Sequence, residues 1–131
     1  MRVTMIGTGY VGLVSGACFA DFGHEVVCVD KDESKIRKLE AGEIPIYEPG
    51  LEALVAENVK AGRLSFSLDV AASIPNADAV FIAVGTPSRR GDGFADLSYV
   101  YKAAEEIAAA LDGYTILIPL IGSMEDSTVP E

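Results

Sequence analysis

The sequence predicts an α/β fold in which helices cover both faces of a doubly wound parallel sheet, giving three layers. Predicted strands and helices alternate along the chain, as a parallel sheet requires. The predicted strand at residues 79–84 is apolar throughout, which is typical of a strand buried on both faces. A glycine-rich turn joins the first strand to the first helix, and this architecture commonly begins with such a turn.

Short apolar or alternating runs predict the strands. They lie at residues 3–6, 25–29, 64–67, 79–84 and 114–120. A complete sheet of this type carries a further strand, which is not among the predicted elements.

Helical runs lie between these strands, and their ends carry the expected signals. The longer helices are predicted at residues 10–22, 33–41, 51–60 and 97–111, and a short helical turn precedes Pro75. Acids that can cap helix N termini and glycines that can end helices flank them: Asp32, Asp69, Asp96, Gly23, Gly42, Gly62 and Gly113.

Helical periodicity also predicts which side chains face the core. In the helix at 51–60 the inward side carries Leu51, Leu54, Val55 and Asn58. In the helix at 97–111 it carries Val100, Ala103, Ala104, Ile107 and Leu111.

The first strand runs directly into a G-x-G-x-x-G motif at residues 7–12. Gly7 allows a tight turn out of the strand, Gly9 leaves room for phosphates, and Gly12 lets the helix pack closely. The N–H groups at the start of that helix favour an anion. Because a strand precedes the motif and a helix follows it, the turn predicts a Rossmann-like site for a dinucleotide pyrophosphate.

Asp30 ends the second predicted strand, where an acid typically accepts hydrogen bonds from the adenosine ribose. The same carboxylate would repel a 2′-phosphate, so the residue favours NAD over NADP. The alternative is that Asp30 only helps to cap the next helix.

Size and charge narrow the class of protein. The 131 residues suit one domain with a buried core. Ten basic and 20 acidic residues give a net charge of −10, which argues against nucleic acids and anionic membranes as partners. No apolar run suits a membrane helix, and the chain begins in a predicted strand rather than a signal peptide. We therefore expect a cytoplasmic protein.

Cys18 and Cys28 lie among apolar neighbours in a predicted helix and a predicted strand. Neither has a C-x-x-C partner or a spacing that suits a metal site, so both are predicted to be buried free thiols.

Several motifs together resemble the N-terminal, NAD-binding domain of the UDP-glucose 6-dehydrogenase family. They are Gly7-Thr8-Gly9-Tyr10-Val11-Gly12-Leu13-Val14-Ser15-Gly16, Glu43-Ile44-Pro45-Ile46-Tyr47-Glu48-Pro49-Gly50-Leu51, Val84-Gly85-Thr86-Pro87 and the stretch from Gly91 to Val100. The resemblance covers about residues 1–118. It implies oxidation of the sugar C6 alcohol of UDP-glucose by two NAD, with a cysteine thiol holding the intermediate aldehyde. Relatives of the family act on GDP-mannose or UDP-N-acetylmannosamine, so these two sugar nucleotides are alternative substrates.

The resemblance also implies the cofactor-binding residues. They are Gly7, Gly9, Tyr10, Val11, Gly12, Asp30, Lys35 and Thr86. Lys35 would lie near the adenosine ribose, and its alternative is an ordinary solvated lysine. Thr86 would contact NAD, and its alternative is a place in a tight turn.

The end of the chain, about residues 119–131, departs from the family pattern. Extra residues precede Ser127, and Asp126 replaces a basic residue. Thr128 matches a threonine that helps catalysis in the family, but a frayed tail is an alternative for it here. We expect the domain with the nucleophilic cysteine, most of the sugar site and the helix used for family homodimers to lie outside this chain. The chain alone is then expected to bind NAD without turnover, and a non-catalytic NAD-binding module is the alternative.

Overall fold

The fold was taken from a computed structural model, which describes residues 1–85 and 96–120. The strands in this part of the chain form one parallel sheet. They are β1 (Arg2–Ile6), β2 (Glu25–Val29), β3 (Leu64–Ser67), β4 (Ala79–Ile82) and β5 (Ile116–Pro119). Their spatial order is β3-β2-β1-β4-β5.

Helices connect consecutive strands. They are α1 (Tyr10–Asp21), α2 (Glu33–Glu40), α3 (Leu51–Lys60), α4 (Val70–Ser73) and α5 (Ser98–Ala110). The chain moves outward from β1 to β3 and then returns to place β4 on the other side of β1. This reversal creates a crevice at the carboxyl ends of β1 and β4, where open α/β sheets bind ligands.

Two apolar clusters lie on opposite faces of the sheet. Because side chains alternate along a strand, Met5 of β1 enters one cluster and Ile6 enters the other. The Met5 cluster contains buried side chains from α1, α2 and α3, and the Ile6 cluster contains side chains from α4 and α5. The predicted three-layer, doubly wound architecture is therefore confirmed.

The structure departs from the sequence prediction mainly toward the end of the chain. Helix α5 ends at Ala110, and Leu111 takes an extended backbone (φ −64°, ψ 132°). Helical periodicity therefore no longer applies to Leu111, which is exposed, and its predicted place in the core is wrong. Strand β4 ends at Ile82 rather than at residue 84, and β5 is shorter than predicted.

The cysteine prediction holds for Cys28, which is buried, but Cys18 is only partly buried. Burial raises the pKa of the Cys28 thiol to about 12. A Cβ added at Gly16 of α1 would come within 2.7 Å of Cys28 Sγ, so helix and strand pack closely at this point. None of the helices in residues 1–85 and 96–120 combines the length and apolarity needed to cross a membrane.

Candidate functional site

A cavity of about 780 Å³ lies at the carboxyl edge of the sheet. Its walls are the turn after β1, the end of β2, the residues after β4, and α5. The lining residues are Ile6, Gly7, Thr8, Gly9, Tyr10, Val11, Val29, Asp30, Lys31, Lys35, Val70, Ala83, Val84, Gly85, Tyr99, Lys102, Ala103, Glu106 and Leu120. The structure therefore brings Asp30 and Lys35 to the same cavity as the glycine-rich turn.

Each of the three glycines in the turn can be tested by asking what a Cβ atom would meet at its position. Gly7 has φ +105°, and a Cβ there would meet the Ala83 carbonyl oxygen at 2.5 Å. A Cβ at Gly12 would lie 2.0 Å from the Gly7 carbonyl oxygen. At Gly9, by contrast, a Cβ would meet no described atom within 4 Å. Gly7 and Gly12 are thus required by packing, whereas Gly9 keeps open a space next to the cavity.

The N terminus of α1 points its backbone donors toward that space. An α-helix leaves its first N–H groups without intrahelical acceptors. The N-cap residue Gly9 offers no side chain to them, and the first turn, which begins at Tyr10 and Val11, contains no acid. In α2, Asp32 accepts from Ser34 and Lys35 N–H groups instead. The start of α1 therefore suits the pyrophosphate of a dinucleotide.

Asp30 joins the end of β2 to the glycine-rich turn. Its Oδ2 accepts hydrogen bonds from Thr8 N–H (3.0 Å) and Thr8 Oγ1–H (2.7 Å). Its Oδ1 accepts one from the Asp32 N–H at 2.9 Å. Because a carboxylate has about four acceptor positions, Oδ1 keeps capacity for a ligand hydroxyl.

The pKa of Asp30 lies below its ordinary value. Burial by itself would raise that pKa, but four favourable interactions outweigh it. They are the Asp32 N–H, the Thr8 hydroxyl, the Thr8 N–H and the nearby charge of Lys35. Asp30 is therefore a fixed anion at neutral pH, as the repulsion of a 2′-phosphate requires.

Sequence reasoning missed residues that reach the cavity from distant positions. Thr8 is 98% shielded from solvent, and its bonds to Asp30 span 22 positions. Lys31 forms an ion pair with Glu106 of α5, which is 75 positions away. Tyr99 and Lys102 also line the α5 side. The motif spacing predicts one site for the glycine-rich turn and Asp30, but it contains no signal for the Thr8 hydrogen bonds or for the side chains that α5 adds.

Tyr10 links the glycine-rich turn to the segment that precedes α3. Its hydroxyl donates a 2.9 Å hydrogen bond to Glu48 Oε2. Glu48 belongs to the motif at residues 43–51, which is one of those that resemble the family. This contact connects two of the resembling motifs at the rim of the cavity.

A second open cleft, of about 730 Å³, lies at the amino ends of the strands. Arg2, Glu25 and Asp78 line it. Arg2 forms an ion pair with Glu25, and its backbone N–H bonds to Asp78. Ligands of open α/β sheets bind at the opposite edge, so this cleft is not the candidate site.

Some predicted site residues lie outside the described part of the chain. They are Thr86 and Thr128, together with the divergent tail from residue 121 onward. Val84 and Gly85, which immediately precede Thr86, do line the cavity. In residues 1–85 and 96–120, no cluster of three or more His, Cys, Asp or Glu side chains could hold a metal ion.

A parallel sheet with this glycine-rich turn and this acid after its second strand defines a dinucleotide-binding domain. Residues 1–130 match the model of the UDP-glucose/GDP-mannose dehydrogenase family, NAD binding domain. The chain belongs to this family, and NAD is the cofactor of this domain.

Individual relatives agree with the family match. The chain is 65% identical to a UDP-glucose 6-dehydrogenase of Rhizobium meliloti over 130 residues, covering 99% of this chain and 28% of that protein. It is 52% identical to the UDP-glucose 6-dehydrogenase TuaD of Bacillus subtilis, covering 98% of this chain and 26% of that protein. The crystal structure of a GDP-mannose dehydrogenase ternary complex from Pseudomonas aeruginosa superposes with a TM-score of 0.86. That structure is 38% identical over 91% of this chain and 28% of the other. The chain therefore spans little more than a quarter of the length of these proteins.

Proposed function

We propose that this chain is the NAD-binding part of an enzyme that oxidises UDP-glucose to UDP-glucuronate with two NAD. One observation supports this most directly: Asp30 and the uncapped start of α1 line the same cavity. The names of the relatives at 65% and 52% identity support UDP-glucose as the substrate. GDP-mannose is the second candidate because of the structural relative at 38% identity, and UDP-N-acetylmannosamine is the third because another structural relative acts on it.

In this proposal the residues of the cavity divide the work of holding NAD. The N–H groups of Tyr10 and Val11 bind the pyrophosphate, and Gly9 leaves the phosphates room to approach. Asp30 accepts a ribose hydroxyl through the free capacity of Oδ1. When bound, NAD accepts a hydride from the alcohol carbon of the sugar.

Lys35 and Thr86 are proposed to assist in holding NAD. Lys35 lies close enough to Asp30 for its charge to lower the pKa of that carboxyl. It would therefore lie beside the adenosine ribose. Gly85, which precedes Thr86 in the sequence, lines the cavity. The proposed contact of Thr86 with NAD itself rests on the family resemblance.

The 131-residue chain by itself is proposed to bind NAD without oxidising the sugar. The reaction needs a thiolate nucleophile. Burial keeps the Cys28 thiol protonated, with a pKa of about 12, and Cys28 lies in the interior of β2. The nucleophile and the role of Thr128 in catalysis would belong to the whole enzyme, which we propose to be a cytoplasmic homodimer. A non-catalytic NAD-binding module is the alternative, and coding sequence that continues past Glu131 into a domain with a reactive cysteine would exclude it.

Titration calorimetry of the chain with NAD tests the proposed site. Asp30→Ala should weaken binding by about 1.5–3 kcal/mol, the value of a charge-assisted hydrogen bond. Asp78→Ala is the matched control, because it removes an equal charge at the opposite edge of the sheet. Equal affinities of the two folded variants would remove Asp30 from the site. NADH formation from UDP-glucose by the pure chain would contradict the proposed lack of turnover.

A further inference from the structure

An ion pair joins Lys31 and Glu106, two residues that line the cavity. Lys31 directly follows Asp30 after the end of β2, and Glu106 lies on α5. About 59% of the Lys31 side chain and 32% of the Glu106 side chain are exposed. Such an exposed pair contributes little to stability, about 0–1 kcal/mol. The main effect of this pair is therefore expected on the charge of the cavity rather than on the stability of the fold.

The sequence around the ribose position contains opposing signals. Asp30 favours a free 2′-hydroxyl, as in NAD. A basic residue beside that position is what accommodates the 2′-phosphate of NADP in related folds, and Lys31 occupies such a place. An unpaired Lys31 would thus offset part of the discrimination that Asp30 provides.

The charges that face the cavity make this offset important. Three lysines line it, namely Lys31, Lys35 and Lys102, and the described acids among its lining residues are Asp30 and Glu106. If Glu106 were neutral, Asp30 would be the one carboxylate among the described lining residues, against the three ammonium groups of the lysines. That balance would attract a further phosphate, although the whole chain carries a net charge of −10.

We infer that Glu106 is a specificity-determining residue that neutralises Lys31 and so helps the site to reject NADP. This inference rests on the proposed location of the NAD site. Glu106 acts through Lys31 rather than by touching NAD. The carboxylate of Glu106 holds the ammonium group of Lys31 toward α5 and leaves the ribose position to Asp30.

The test compares the dissociation constants of NAD and NADP by titration calorimetry for the 131-residue chain and its variants. Glu106→Gln should raise the affinity for NADP relative to NAD by about fivefold to tenfold, as expected for one released charge near a phosphate in water. The gain should shrink at high salt. Glu105→Gln is the matched control, because Glu105 is the neighbouring acid on α5 and does not line the cavity. It should leave the ratio unchanged.

Lys31→Met in the Glu106→Gln background should remove the gain, because the released charge would then be absent. An unchanged ratio in folded Glu106→Gln would overturn the inference, and so would a gain that survives Lys31→Met. A wild-type chain that is folded but does not bind NAD would instead contradict the proposed function, so the two failures are distinguishable.

Discussion

Thr8 gives both of its hydrogen-bond donors to a single oxygen of Asp30. Its N–H lies 3.0 Å and its hydroxyl 2.7 Å from Asp30 Oδ2. The middle of the glycine-rich turn is thereby fixed to the end of β2. The other oxygen, Oδ1, accepts a hydrogen bond from the Asp32 N–H and keeps room for a further donor. Thr8 thus orients the carboxylate that the proposed site uses for the ribose.

Replacing Thr8 tests this orientation. Thr8→Val keeps the shape of the side chain but removes the hydroxyl donor, so we expect weaker NAD binding. We also expect the free energy of unfolding to fall by about 1 kcal/mol. The loss is no larger because Asp30 is half-buried and solvent screens its charge. Thr8→Ser keeps the hydroxyl and should retain NAD affinity. Calorimetry and urea unfolding measure the two effects. Equal NAD affinity in the Val and Ser variants would contradict the positioning role.

The lowered pKa of Asp30 predicts a loss of stability in acid. Because the folded pKa lies below the unfolded value of about 3.9, ionised Asp30 stabilises the fold above that pH. This contribution is lost as the pH falls from about 3.9 through the folded pKa. Carbon NMR of the Asp30 carboxyl should show the low pKa, and Thr8→Val should move it upward. A wild-type pKa at or above 3.9 would contradict the described contacts.

The glycines of the turn should separate folding from binding. Gly9→Ala should leave stability nearly unchanged, since its φ is −72° and a Cβ there meets no described atom within 4 Å. The methyl group would enter the space proposed for the phosphates, so NAD affinity should fall at least about tenfold. Gly12→Ala should cost about 1–3 kcal/mol of stability or more, because the new Cβ would clash with the Gly7 carbonyl oxygen.

Thermal unfolding and NAD titration of both variants check this separation. A strongly destabilised Gly9→Ala, or one that binds NAD as the wild type does, would contradict the open space beside Gly9.

The contact between Tyr10 and Glu48 predicts a shifted tyrosine titration. The hydrogen bond to Glu48 raises the pKa of Tyr10 above its ordinary value, and a slight loss of hydration and the Glu48 charge act in the same direction. Glu48→Gln removes the charge and should lower this pKa toward that of a free tyrosine. Ultraviolet titration, with Tyr10→Phe to identify the signal, measures it. Glu52→Gln, which changes an exposed acid of α3, is the control and should have no effect.

The sequence predicted some helices well because the signals for their ends are local. The bounds of α3, from Leu51 to Lys60, follow from the periodic apolar residues and the glycine after them, and they agree with the structure. The predicted place of Asp30 in the site is also correct, because a residue that directly follows an apolar strand lies at the carboxyl edge of the sheet.

The long-range contacts between side chains could not be predicted from the sequence. The pairs formed by Thr8 with Asp30 and by Lys31 with Glu106 depend on which strands and helices become neighbours. Leu111 was misplaced for a related reason, since an apolar residue in phase with a helix points to the core only while the helix continues. The strand order likewise becomes visible only in the fold.

The proposed NAD site lies at the carboxyl edge of the sheet, between the glycine-rich turn and Asp30. Nitrogen–proton NMR of the labelled chain during titration with NAD tests it most directly. We expect the largest saturable shifts on the N–H groups of Gly9, Tyr10 and Val11 and on that of Asp30. Shifts confined to the amino-edge cleft around Arg2 would contradict the claim, as would the absence of saturable shifts in the folded chain.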